Sequence, residues 1–138
     1  MTALTAKFTT GALINGEWIT SGPAFDVTNP ATGEVIARVP DLGADAALKA
    51  VDAASAALPA WSARTAKDRA IILRRWFDLI TAETEALAEI MTAEQGKPLT
   101  ESRGEVAYAA SFIEWFAEEG KRAYGRTIPT TVASRRYV

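Results

Sequence analysis

Between two long helical runs the chain reads Glu94-Gln95-Gly96-Lys97-Pro98, and this short break constrains the fold more than any other stretch. Glycine ends a helix in the left-handed conformation, and a proline soon after suits the first turn of the next, so two helices must meet here. Gly96-Lys97 also invites a phosphate-loop reading. That loop needs glycine where this chain has Met91 and serine or threonine where it has Pro98, so the reading fails.

Upstream of the break, Thr65 and Asp68 form a capping-box pattern. Ile72, Leu73, Trp76, Ile80, Leu87 and Met91 then recur at helical spacing, with Arg74, Asp78, Glu85 and Glu89 on the other side. One continuous helix is expected, with Arg74 and Asp78 paired across a turn. Downstream, a helix starts between Pro98 and Ser102, where Ser102 with Glu105 is a second capping-box candidate. Val106, Ala109, Ala110, Ile113 and Ala117 make one apolar stripe, and Tyr108, Phe112, Trp115 and Phe116 make another beside it. Aromatic residues at that spacing are most often core, with the wall of a tunnel second. Gly125 is the expected cap at the far end.

The flanks are simpler. Leu13-Ile14-Asn15-Gly16-Glu17-Trp18-Ile19 has the form of a hairpin, because Asn-Gly readily takes the two positive-φ positions of a type I′ turn. A second hairpin runs from Phe25 through Asn29-Pro30-Ala31-Thr32-Gly33 to Val39, with Val35, Ala37 and Val39 on one face. An Ala-rich helix is expected from Gly43 to Leu58, ending near Pro59. After Gly125 the β-branched run Thr127 to Val132, and then Arg135 to Val138, look like a strand that lacks a partner and calls for a continuation or another chain.

Composition removes whole classes of chemistry. The 138 residues include no cysteine and no histidine, so thiol nucleophiles, thiolate metal sites and histidine-based triads are absent. A net charge of -2 without a clustered basic excess argues against nucleic acid as a partner. Met1 to Thr10 lacks the apolar core of a secretory signal, and no apolar run approaches a membrane span, so a cytoplasmic protein with no membrane partner is expected. No G-x-G-x-x-G spacing occurs, and no cofactor-binding motif is recognisable. The residues alone therefore describe an α+β piece of hairpins, three long helices and one unpartnered strand, without a catalytic constellation.

Several blocks together resemble the N-terminal region of the aldehyde dehydrogenase superfamily. They are Leu13 to Trp18, Asn29 to Ile36, Ala60-Trp61, Glu94 to Pro98 and Tyr124 to Pro129, and their order and spacing cover nearly the whole chain. Glu94-Gln95-Gly96-Lys97-Pro98-Leu99, followed by Glu105 to Tyr108 and Phe112 to Phe116, is most similar to the succinate-semialdehyde dehydrogenase branch. The resemblance implies an α/β fold of which this chain is an incomplete part. Residues 1–125 would belong to the cofactor-binding domain and residues 126–138 would begin the oligomerisation strand.

It also implies an oxidoreductase that converts an aldehyde, here succinate semialdehyde, to the acid with NAD or NADP. The nucleophilic cysteine and catalytic glutamate of that family lie in later parts of the subunit. This chain alone is therefore expected to be inactive, with the remainder of the subunit, or other subunits, as its partners in a homo-oligomer. The resemblance places Tyr108, Phe112 and Trp115 along a substrate tunnel, and the backbone of Val27 and Thr28 with Glu94 around a monovalent cation. Glu94 reads equally as a solvated helix end. The rival reading of the whole is a free-standing helical interaction module that binds through its aromatic face and edge strand.

Overall fold

The computed structural model describes residues 8–137, with side chains through Ser134. The expectations for Met1 to Lys7 and for Val138 lie outside the described residues. Among the described residues the order is β1 (Ala12–Ile14), β2 (Glu17–Ile19), β3 (Ala24–Thr28), β4 (Val35–Pro40), α1 (Gly43–Ser62), α2 (Ala66–Ala82), α3 (Thr84–Gln95), α4 (Leu99–Glu119), a 3-10 turn (Gly120–Arg122), β5 (Thr127–Pro129) and β6 (Arg135–Tyr137). The strands form three separate antiparallel hairpins.

The first hairpin follows from its turn. Asn15 and Gly16 both take positive φ, 51° and 82°, as a type I′ connection requires, and Leu13 stands opposite Trp18. In the second, the Asn29 side chain accepts the Ala31 N–H at 2.9 Å, and the Gly33 N–H reaches the Asn29 carbonyl at 2.8 Å. Pairing slips between Val27 and Thr28: Val27 faces Ala37, but Thr28 faces Val35, leaving Ile36 as the extra residue of a bulge. Strict alternation is thereby broken. Val35, expected to share a face with Ala37 and Val39, is 53% exposed, whereas Ile36 joins Ala37 and Val39 in lining a cavity.

Two expected helix boundaries move. α1 continues past Pro59 to Ser62, where the Ser62 hydroxyl donates to the Leu58 carbonyl at 2.8 Å. The long run after Thr65 is two helices rather than one. Thr65 does cap α2, accepting the Asp68 N–H at 3.1 Å, a contact whose loss to alanine typically costs about 1 kcal/mol. The chain then leaves helical geometry at Glu83 (φ -101°, ψ 14°), where the Thr84 hydroxyl bonds back to the Thr81 carbonyl at 2.8 Å. Such back-bonding by threonine competes with the regular ladder and bends helices.

At the central break, Gly96 ends α3 in the left-handed conformation (φ 80°). Pro98 precedes α4, and its carbonyl accepts the N–H groups of Glu101 and Ser102 at 2.9 and 3.1 Å. Ser102 is not a cap. Its side chain is fully buried and shares a 2.8 Å hydrogen bond with the Thr92 hydroxyl, tying α4 to α3. Lys97 pairs with Glu105 beside it. Gly125 is not a cap either, because α4 stops at Glu119 and passes through the 3-10 turn first. The strand after Gly125, expected to lack a partner, pairs with its own continuation in the β5–β6 hairpin.

The buried apolar residues among those described are small: Ala70, Ala88, Val106, Ala110 and Ala117. They lie where α2 and α3 pack on α4, and alanine at each contact lets the helix backbones approach closely. Of the core face expected on the long run, Leu73, Ile80, Leu87 and Met91 are half-buried, but Ile72 and Trp76 are exposed. The packed face of α2 is rotated toward Ala70, Leu73, Phe77 and Ile80. α1 buries none of its residues, and its Leu48, Val51 and Leu58 remain exposed.

Candidate functional site

The two stripes of α4 part company. Val106, Ala110 and Ala117 turn inward, while Tyr108 and Trp115 are 66% and 62% exposed, with Phe112 and Phe116 beside them. The expectation that these aromatic residues fill the core of this chain is therefore overturned: the buried residues of α4 are Ser102, Val106, Ala110 and Ala117. They line an open groove of about 700 Å³ with Arg74, Ser111 and the glutamates of the last turns. Tyr108 and Phe112 meet edge to face, centroids 4.8 Å apart, which fixes both rings on one side. The structure thus brings Tyr108, Phe112 and Trp115 to one surface.

Charged groups close one end of the groove. Arg74 does not pair with Asp78. It crosses to Glu114 of α4 at 2.5 Å and lies over the Phe77 ring at 5.2 Å. The hydrogen bond to Glu114 raises the Arg74 pKa above its ordinary value, and the hydrogen bond from Lys121 holds the Glu118 carboxyl below its own. Sequence reasoning missed Arg74 and Glu114 as a pair, since forty positions separate them. Along the α3–α4 hairpin, Arg103 grips Glu85 through three contacts of 2.9–3.1 Å and lowers the glutamate pKa.

The second candidate lies at the other end of α3. A Cβ on Gly96 would meet the Pro30 ring at 2.9 Å, so the Asn29-Pro30 turn is seated on the end of α3 and β3 runs against that helix. This places the Val27-Thr28 end of β3 near the last turn of α3. Glu94 is exposed, has no ion-pair or hydrogen-bond partner among the described residues, and lines a cavity of about 240 Å³ with Phe8, Ile36, Val39 and Ile90.

The donor chemistry differs for the two ligands the resemblance implies. Among the described residues no three Asp, Glu, His or Cys side chains cluster as a metal site, whereas a monovalent cation needs only backbone carbonyls and a single acid; Glu94 lines its cavity without Val27 or Thr28. For a dinucleotide, each of the four α-helices among the described residues carries an acid in its first turn, Asp45, Asp68, Glu85 and Glu101, and that charge disfavours a diphosphate at the same end.

Against known proteins, the model of the aldehyde dehydrogenase family matches residues 18–138. The chain belongs to the aldehyde dehydrogenase family. It is 60% identical over 129 residues to an NADP+ succinate-semialdehyde dehydrogenase of Escherichia coli and 57% identical to a glutarate-semialdehyde dehydrogenase of Pseudomonas putida. Each match covers 92% of this chain but 27% of the relative, so the chain spans about a quarter of the length of these aldehyde dehydrogenases. A Brucella melitensis aldehyde dehydrogenase structure superposes with a TM-score of 0.90 at 55% identity, over 96% of this chain and 28% of that one. The α/β architecture is therefore that of the corresponding region of the family fold. Among the described residues no helix is long and apolar enough to cross a membrane.

Proposed function

We propose that this chain is the amino-terminal segment of an NAD(P)-dependent oxidoreductase that converts succinate semialdehyde, or a similar aldehyde bearing a distal carboxylate, to the acid. The observation that carries the proposal is the uncovered aromatic face of α4. A chain that buries alanines and leaves Trp115 and Tyr108 in solvent has an apolar surface suited to further protein and to an apolar passage. The substrate class is supported by the names of the similar enzymes, whose semialdehydes both end in a carboxylate. In this reading Tyr108, Phe112 and Trp115 line the substrate tunnel, and residues 126–138 present a strand edge to another subunit.

NAD or NADP would accept the hydride in the complete enzyme, bound by residues outside this segment. The segment's own contribution is to bind and orient the apolar part of the aldehyde and to exclude water beside it.

A chimera tests the proposal. With this chain in place of the matching stretch of the E. coli relative, succinate semialdehyde is oxidised with NADP+, and Phe112→Ala in that chimera lowers kcat/KM about tenfold, the scale of one lost apolar contact. The isolated chain gives no turnover. Turnover by the isolated chain, or a folded but inert chimera, would overturn it.

The cation reading is tested separately. In the same chimera, potassium or sodium at about five times its Kd raises unfolding stability by about 1 kcal/mol over choline chloride of equal ionic strength. Glu94→Ala removes that increment. An increment that survives the substitution leaves Glu94 an ordinary helix end.

A further inference from the structure

The described sheet elements include one turn whose chemistry is not used by any function above. We infer that Asn15 is a site of spontaneous modification, converting through a cyclic imide to aspartate and isoaspartate. The reaction needs the amide nitrogen of the following residue to reach the asparagine side-chain carbonyl carbon. Any side chain on that following residue obstructs the approach, and Gly16 has none. A Cβ built there meets nothing within 4 Å, so the space around the nucleophile is open. Asn15 is exposed, its side chain has no hydrogen-bond partner among the described residues, and the Gly16 amide makes no turn or loop hydrogen bond among them.

The steps balance without any co-reactant but water. The Gly16 amide loses its proton and attacks the Asn15 Cγ, forming a new C–N bond as the side-chain nitrogen departs as ammonia. Water then opens either carbonyl of the five-membered ring. One route gives aspartate, and the other moves the main chain onto the side-chain carbonyl and gives isoaspartate. Attack requires Asn15 to rotate out of its left-handed conformation. β1 and β2 are three residues each, and a two-stranded hairpin that short is marginal, so this opening is a local event.

The chain supplies its own controls. Asn29 is followed by Pro30, which has no amide hydrogen to lose, and its side-chain oxygen is held by the Ala31 N–H. Gln95 precedes Gly96, but that amide is tied to the Thr92 carbonyl at 2.8 Å and the ring would need an extra atom. Conversion at Asn15 adds a negative charge to a chain of net charge -2. The isoaspartate form also inserts a backbone carbon into a two-residue turn, which is incompatible with the pairing of Leu13 with Trp18.

The test is prolonged incubation of the full chain in mildly alkaline buffer, then peptide mapping and enzymatic methylation of isoaspartate. The expected result is the amide-to-acid mass change confined to the peptide holding Asn15, with isoaspartate present and Asn29 and Gln95 intact. Gly16→Ala, by placing a methyl group on the attacking residue, abolishes the change over the same incubation whether or not the hairpin forms. An unaltered Asn15 in the parent chain, or equal conversion at Asn29, would overturn the inference.

Discussion

Replacing Gly96 with alanine destabilises the chain by about 2–5 kcal/mol. About 1–2 kcal/mol of this is the cost of a side chain in the left-handed conformation that Gly96 adopts at φ 80°. A further 1–3 kcal/mol or so comes from crowding, since the new Cβ would lie 2.9 Å from the Pro30 ring and the closed pyrrolidine cannot rotate away. Gly33 separates the two contributions. It has a similar φ of 75°, yet a Cβ there meets nothing within 4 Å, so Gly33→Ala carries the conformational cost alone. Urea midpoints at constant m-value give the comparison. Pro30→Ala in the Gly96→Ala background relieves the crowding, whereas equal losses for the two glycine variants would remove the contact between the turn and α3.

Ser102→Ala has the second large effect, a loss of about 1–3 kcal/mol, because it strips the half-buried Thr92 hydroxyl of its fully buried partner. A cavity contributes little, since the lost group is one hydroxyl. Most of the loss comes from the orphaned Thr92 hydroxyl, and a double-mutant cycle exposes it. Thr92→Val together with Ser102→Ala leaves no unpaired group and restores most of the stability, giving a favourable coupling between the two changes. Simple additivity of the two substitutions would mean that the hydroxyls do not depend on each other.

Some of this architecture was legible in the residues themselves. Asn15-Gly16 and Gly96 are legible because few residue types occupy positive φ at low cost, so local chemistry dictates the turn. The shared face of Tyr108, Phe112 and Trp115 follows from spacing alone. The interruption at Glu83 is different: apolar periodicity runs through it, and only the back-bonded Thr84 marks it. The Ile36 bulge likewise shifts a register by one residue, which composition does not record.

The aromatic stripe of α4, expected in the core beside the alanine stripe, stays exposed for a physical reason. Hydrophobicity favours burying Trp115 before Ala117, but close helix approach favours the smaller residue, and here the smaller residue prevails. The pairing of Arg74 with Glu114 depends on that same approach, so it could not be read from neighbours on one helix. The assignment of Val27, Thr28 and Glu94 to a cation came from resemblance to a family and not from their own spacing.

The alanine contacts between α2, α3 and α4 also bear on the order of events in folding. An alanine side chain has no rotamers to lose, so docking Ala88, Ala110 and Ala117 carries almost no side-chain entropy cost. The ten positions from Thr92 to Ser102 make the α3–α4 contact a short loop closure, favourable to rapid formation. The three helices can thus assemble while the exposed Trp76 and Trp115 still sample several rotamers. Their conformations are then chosen by whatever surface arrives last, so the ordering of the large rings is deferred to the final stage of assembly.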